Sequence, residues 1–427
     1  MIKLLRVLVF ILCANFVSAQ NWVPLECGLN AEGRVLYPDS VTGKLFVGGD
    51  FSALGCHQSD RIAAWSGLEW DTTYSLNSYG NPVLTFNRYQ NLLYTAGYFS
   101  NSCGTIITNG FARWNGSCWD SINNSFHTGT PSCMFQWNNL LYCLGEIDSV
   151  GCYFSPVVAA WDGNNWIPVG IPHYAGGSTE VGCIYQNELY MCGNFYDSIG
   201  VINGFAKYDG TNWTRVGGTF AGLVHTMAVY NNELYIGGNF FVNGPANYIV
   251  KWDGTNLSAV GSGLTTGLFK LRVIGDKLYG VGDNFIHVWD GNNWSVFTND
   301  TFGNGINDIA VYNNEIYVTG GFLSINGDSS YNCIAKYQGW YLGEKIIKHN
   351  EGVKVYPNPT NTTINIYLSS YTTSETLLIT DVLGEEIYKG TLSGIDNSID
   401  VSKWSEGVYF ITIISQDNII TQKFIKL

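Results

Sequence analysis

One ten-residue pattern constrains this chain more than anything else in it. NNELYIGGNF, Asn231 to Phe240, returns as QNELYMCGNF at Gln186 to Phe195, NNEIYVTGGF at Asn313 to Phe322 and TGKLFVGGDF at Thr42 to Phe51. Aligned on the leucine, the copies fall at Leu45, Leu93, Leu141, Leu189, Leu234, Leu278 and Ile316, spaced 48, 48, 48, 45, 44 and 38 residues apart. A period of roughly 40 to 50 is that of propeller blades, not of ankyrin or leucine-rich repeats.

Each copy reads as four short strands. In the fifth they are His225 to Tyr230, Glu233 to Phe240, Tyr248 to Gly254 and Asn256 to Gly261. Asn231-Asn232 and Asn313-Asn314 tolerate the positive φ of a tight hairpin. The Asp-Gly pairs at Asp162, Asp209, Asp253 and Asp290 serve the turn between strands three and four. Two aromatic slots recur. Trp65, Trp114, Trp161, Tyr208, Trp252, Trp289 and Tyr337 share one in strand three. Trp70, Trp119, Trp166, Trp213 and Trp294, with Leu257, share the other in strand four. A residue type that returns in every copy packs between copies rather than holding a ligand. One such sheet cannot bury both of its faces, so the unit recurs until a ring closes. The expected architecture is all-β: a seven-bladed β-propeller of four-stranded blades over residues 20–343.

The ring has a natural closure. NWVPLECG, Asn21 to Gly28, matches a fourth strand such as NWIPVG at Asn165 to Gly170, yet precedes the first full copy. Laid beside YNCIAKY, Tyr331 to Tyr337, it completes the last blade and removes exposed sheet edges. Trp340-Tyr341-Leu342 is the competing fourth strand. Closure by the N-terminal strand brings Cys27 and Cys333 near each other, so a Cys27–Cys333 disulfide is expected. Cys133 with Cys143, across one hairpin, is a second candidate pair.

The ends of the chain speak of export. MIKLLR, then VLVFILCANFV, then Val17-Ser18-Ala19 make a secretory signal peptide over residues 1–19. Removing Cys13 with it leaves ten cysteines, an even number for an oxidising compartment. No other apolar run reaches the roughly 18 residues of a membrane span, so the mature chain carries no transmembrane segment. The net charge of −13 excludes the clustered basic surface that nucleic acid requires.

Gly-Gly closing strand two, followed by an aromatic and then a tryptophan, resembles kelch-type and galactose-oxidase-like β-propellers. The two aromatics are five apart here, as in Tyr208 to Trp213, tighter than the usual kelch spacing. After a linker at residues 344–352 the pattern changes to short alternating strands at sandwich-like spacing, an immunoglobulin-like β-sandwich over 353–427. This tail resembles the type A C-terminal sorting domain of the type IX secretion system of Bacteroidota. The matching residues are Tyr356-Pro357-Asn358-Pro359, Gly384 in DVLG, Gly407 and Tyr409 in GVYF, and Lys423 and Lys426 in the final KFIKL. The resemblance implies the type IX machinery as a partner, export through the periplasm to the surface, and attachment to surface lipopolysaccharide.

Chemistry is harder to find. His57, His127, His173, His225, His287 and His349 form no metal or nucleophile motif. No catalytic residue, metal site or cofactor is assigned. The variable loops between strands two and three, such as DFSALGCHQSDR and EIDSVGCYFSP, share a face with the blade-to-blade connections. Tyr153, Phe154, His173 and Tyr174 there do not follow the repeat and are the expected contact residues. The preferred function is non-enzymatic binding of a glycan or protein, in adhesion or polymer capture. The alternative is a secreted glycan-degrading hydrolase or lyase.

Overall fold

The structure is a computed structural model. It describes residues 22–338 and 353–427, except 56, 77–78, 104–105, 123–125, 201, 218–219, 242–246, 369–375, 382–384, 393 and 415–418. The expected signal peptide, the linker, the competing strand at Trp340 and the sorting-motif Gly384 lie outside the described residues. The chain divides into two compact units, Met1–Trp340 and Tyr341–Leu427. Among the described residues neither contains a helix.

The first unit holds seven antiparallel sheets of four or five strands. Their first strands are Gly33–Asp39, Tyr79–Tyr89, Phe126–Trp137, Thr179–Tyr185, Ala221–Tyr230, Lys270–Ile274 and Ile306–Tyr312, which define sheets 1 to 7. Sheet 7 takes its fourth strand, Trp22–Pro24, from the start of the chain, with Trp22 opposite Tyr337. That is the pairing expected from the sequence.

The turns follow from residue chemistry. Asn231 and Asn232 have φ of 48° and 60°, and Asn313 and Asn314 of 49° and 61°, the left-handed pair of a two-residue hairpin. The Asp-Gly turns divide the work differently. Gly163 takes the positive φ of 102°, while Asp162 accepts the N–H groups of Asn164 and Asn165 at 2.7 and 2.6 Å. In the second strand Gly238 is required by contact. A Cβ there would lie 2.2 Å from the Leu223 carbonyl oxygen across the hairpin.

The recurrent aromatics pack within and between sheets. Trp65 and Trp70 lie 5.1 Å apart, Trp161 and Trp166 5.0 Å, and Trp22 and Tyr337 5.0 Å. Phe111 of sheet 2 meets Trp166 of sheet 3 at 5.2 Å, and Phe205 of sheet 4 meets Trp252 of sheet 5 at 5.8 Å. Burying one such side chain is worth roughly 1.5–3 kcal/mol, so these slots hold neighbouring sheets together. Hydrogen bonds at the foot of the first strands add direction. Tyr89 donates to Asn139 O at 2.6 Å, Tyr185 to Asn232 O at 2.9 Å and Tyr230 to Asp276 O at 2.8 Å, each reaching the hairpin of the next sheet.

The cysteines depart from expectation. Cys333 is a buried free thiol, so the Cys27–Cys333 bridge is not formed. The reason is local: Cys27 turns towards the loop of sheet 1, where a Cβ on Gly55 would sit 1.9 Å from Cys27 Cβ. Cys133 and Cys143 are free as well. Cys143 stands opposite Met134 while Cys133 stands opposite Leu144, which places the two thiols on opposite faces of sheet 3. Cys118 is disulfide-bonded.

The second unit has two antiparallel sheets. One is Val353–Tyr356, Thr363–Leu368 and Asp396–Asp400. The other orders Glu386–Thr391, Thr376–Thr380, Gly407–Ile414 and Ile419–Lys426. Ile364, Ile366, Leu377, Ile379, Ile411 and Phe424 form one buried core from both. Gly407 opens its strand opposite Lys426, and Phe410 stands opposite Lys423. Tyr409 stacks on Phe424 at 5.4 Å. Tyr356-Pro357 and Asn358-Pro359 are both cis, and Asn358 reaches the last strand.

Candidate functional site

The loop EIDSVGCYFSP is not an open loop. Strand Leu140–Val150 runs on into it, and Tyr153–Phe154 folds back to pair with Val150 and Ser149. Phe154 is 66% exposed and Tyr153 49%. Successive residues on a strand point to opposite sides, so only one of the two can join a given surface. Phe154 does: its ring lies 6.4 Å from that of Tyr174. Tyr174 starts an added strand of sheet 4 opposite Asp197, and its hydroxyl donates to Gly177 O at 2.5 Å. Burial, then the charges of Asp148 and Glu146 with Tyr196 beside them, push the Tyr174 phenol above its ordinary range. His173 contributes backbone; at φ 57° its carbonyl accepts Ser198 N at 2.8 Å.

The sequence did not reveal what lies beside this pair. At one equivalent position in six of the seven first strands the ladder skips a residue, namely Arg34, Leu84, Ser132, Glu180, His225 and Asn307. A β-bulge turns the skipped side chain out of the sheet. These side chains meet from sheet to sheet. Glu180 Oε2 lies 2.6 Å from His225 Nδ1, and the His225 ring lies 5.4 Å from Phe269 at the head of sheet 6. Asn307 donates to Glu32 Oε1 at 2.7 Å, and Arg34 bridges Glu32 at 2.8 Å and Asp50 at 2.7 Å. The exposed phenol of Tyr98 is raised by burial, then by the charges of Glu146 and Glu180, with a hydrogen bond to Glu146 adding to it.

The geometry thus offers exposed rings at Phe154, Tyr196 and Tyr98 and a half-buried one at Tyr174, with carboxylates at Glu146 and Glu180. Such a surface can stack on the C–H face of a sugar ring and accept hydrogen bonds from its hydroxyls. Among the described residues no group of three or more His, Cys, Asp and Glu side chains could hold a metal ion. A groove lined by Arg113, Asp120, Ser121, Ile122, Trp161 and Asn164 involves none of these residues, and its Arg113–Asp120 pair is stretched to 3.8 Å.

Residues 354–427 match the family of secretion system C-terminal sorting domains, and the tail is such a domain. It marks the chain for type IX export, to the outside or the cell surface, and implies contact with that machinery. No helix is long and apolar enough to cross a membrane among the described residues. No curated protein matches the chain. Among solved structures it is similar to PorZ, described as an essential bacterial surface component of the type IX secretion system of Porphyromonas gingivalis. The identity is 13% and the TM-score 0.49, covering 95% of this chain and 60% of PorZ. The extracellular domain of BT4673 from B. thetaiotaomicron is similar at 12% identity and TM-score 0.48, over 95% of this chain and 57% of that one. The chain therefore spans under two thirds of either relative's length. The kelch-type resemblance of the repeats rests on the residues alone.

Proposed function

We propose that residues 20–343 form a closed seven-bladed propeller with kelch-type repeats, which the immunoglobulin-like tail carries out of the cell. Residues 1–19 direct the first step into the periplasm, and the mature chain ends on surface lipopolysaccharide. The loop face binds carbohydrate, in adhesion or polymer capture. The observation that carries the binding reading is the Phe154–Tyr174 pair, two rings from different sheets held at 6.4 Å on a solvent-facing surface. Support for the ring comes from contacts that pass from each sheet to the next and from the last to the first.

The test is a glycan array probed with the mature chain and with its Phe154→Ala/Tyr174→Ala variant. Retention by the parent, weakened about tenfold or more in the variant, is the expected result, since stacked aromatics dominate such contacts. Cleavage of the arrayed glycans supports the hydrolase or lyase reading instead. Silence across the array overturns carbohydrate binding and leaves a protein ligand.

A further inference from the structure

Sheets 4, 5 and 7 carry an ion pair at one repeated place, and sheet 2 has only half of it. Before the recurrent aliphatic residue of strand two stands Glu188, Glu233 or Glu315. Each holds the lysine of strand three: Lys207 at 2.7 Å, Lys251 at 2.8 Å and Lys336 at 3.0 Å. Those lysines stand opposite Tyr190, Tyr235 and Tyr317, as Arg113 of sheet 2 stands opposite Tyr94. Sheet 2 therefore keeps the cation, but Leu92 occupies the place of the glutamate.

Arg113 is left with Asp120, its cross-strand neighbour on strand four. Their nearest atoms, Nη2 and Oδ2, are 3.8 Å apart, too far for a hydrogen bond. Neither side chain makes a hydrogen bond among the described residues. Both can be reached from solvent, with 30% and 37% of their side-chain surface exposed.

A groove of about 370 Å³ opens over this pair, between sheets 2 and 3, a volume in the range of small-ligand pockets. Ile122 and Trp161, both buried, give it an apolar base, and Ser121 and the exposed Asn164 add polar groups. The wall at Asn164 is held in place. Asp162 accepts the Asn164 N–H at 2.7 Å, and Gln90 of sheet 2 donates to Asp162 O at 3.0 Å.

The donor set selects the ligand. A guanidinium only donates and a carboxylate only accepts, whereas a hydroxyl does both. A ligand hydroxyl can accept from Arg113 and donate to Asp120 at once. An acidic ligand would meet Asp120 and an amine would meet Arg113, so like charge disfavours both. We propose that this groove binds a neutral sugar residue, whose hydroxyls bridge Arg113 and Asp120 while its C–H face covers the apolar base. The site is separate from the loop-face rings. Trp161 stands opposite Leu141 and Phe154 opposite Ser149, which puts the two about 26 Å apart along one strand.

Calorimetric titration of the mature chain with methyl glucoside, methyl galactoside and methyl mannoside tests this, with glucuronate and glucosamine as charged counterparts. Binding of at least one neutral glycoside, tighter than either charged sugar, is expected. Arg113→Met weakens it about tenfold or more, because a charge-assisted hydrogen bond is lost. Leu92→Glu restores the carboxylate of sheets 4, 5 and 7, engages Arg113 and weakens binding by a similar factor with the fold intact. It decides the matter should Arg113→Met fail to fold. The Phe154→Ala/Tyr174→Ala variant keeps the glycoside even where it loses array retention, so failure of one site is not failure of the other. No heat with any neutral glycoside, tighter binding of a charged sugar, or equal affinity in parent and Leu92→Glu overturns the proposal.

Discussion

Tyr312 donates its hydroxyl to the carbonyl oxygen of Gly43 at 2.7 Å, across 269 residues of chain. Tyr312 ends the first strand of sheet 7 and Gly43 lies in the hairpin of sheet 1. The same bond joins sheet 2 to 3, 4 to 5 and 5 to 6. In the ring we propose, this one is the closing contact, alongside the pairing of Trp22 with Tyr337.

Tyr312→Phe removes one hydroxyl and leaves a part-buried carbonyl unmatched. A loss of about 1 kcal/mol is expected, the usual net worth of such a bond. Urea unfolding of the mature chain measures it. If sheets 7 and 1 do not close a ring, Tyr312→Phe frays only sheet 7, and the unfolding transition splits instead of shifting as a whole.

Acid should loosen the junction of sheets 1 and 2. Asp39 closes the first strand of sheet 1 and accepts from Arg88 of sheet 2 at 2.5 and 2.7 Å. Burial alone would raise its carboxyl, but the hydrogen bonds from Arg88 and Thr42 outweigh it and hold the group below its ordinary range. A depressed carboxylate contributes stability that is complete above the unfolded value of about 4 and is lost as pH falls through the folded value. Stability against urea therefore declines below about pH 4, and Asp39→Asn flattens that decline while being weaker at neutral pH. A parent and variant with parallel pH curves would exclude Asp39 as the titrating group. Arg88→Met leaves the buried carboxylate with its Thr42 bonds but no counter-charge and costs about 3 kcal/mol.

How much of this could be read beforehand depends on whether the chemistry repeats. The Asn-Asn hairpins, the paired tryptophans and the closing strand Trp22–Pro24 follow from local rules applied seven times, so the residues announce them. Phe154 and Tyr174 were legible as departures from the repeat, and their meeting across sheets 3 and 4 bears on the reading made of them. Glu180 and His225 were not legible. Whether a side chain leaves the ladder depends on a bulge, and the bulge arises from register between strands rather than from any residue type. The Cys27–Cys333 pairing failed for a related reason. Sequence spacing placed the residues near each other, but the direction of each Cβ decides a disulfide, and that of Cys27 points to the sheet 1 loop.

In the tail, Asn358 acts as a short substitute strand. Its Oδ1 accepts Ile425 N at 2.9 Å and its Nδ2 donates to Lys423 O at 3.0 Å, while Thr360 N donates to Ile425 O at 2.9 Å. Two separate stretches of the sorting motif are thereby one physical unit. Asn358→Ala should expose the Ile425 amide, with a loss of about 1 kcal/mol for a bond near the surface. Hydrogen exchange followed by mass spectrometry reads it directly: faster exchange confined to residues 423–427 is expected, and unchanged protection there refutes the latch.

Removal of residues 353–427 takes away the matched sorting domain and leaves residues 22–338 with every sheet complete, since none of the seven draws a strand from the tail. The truncated chain should fold and accumulate in the periplasm, while the full chain reaches the surface or the medium. Cell fractionation with surface proteolysis separates these outcomes. Surface display of the truncated chain would mean that the tail is dispensable for export. Periplasmic retention together with restored export when the tail is fused to an unrelated carrier would locate the whole address in those residues, because a signal that works on a foreign cargo owes nothing to the sheets that precede it.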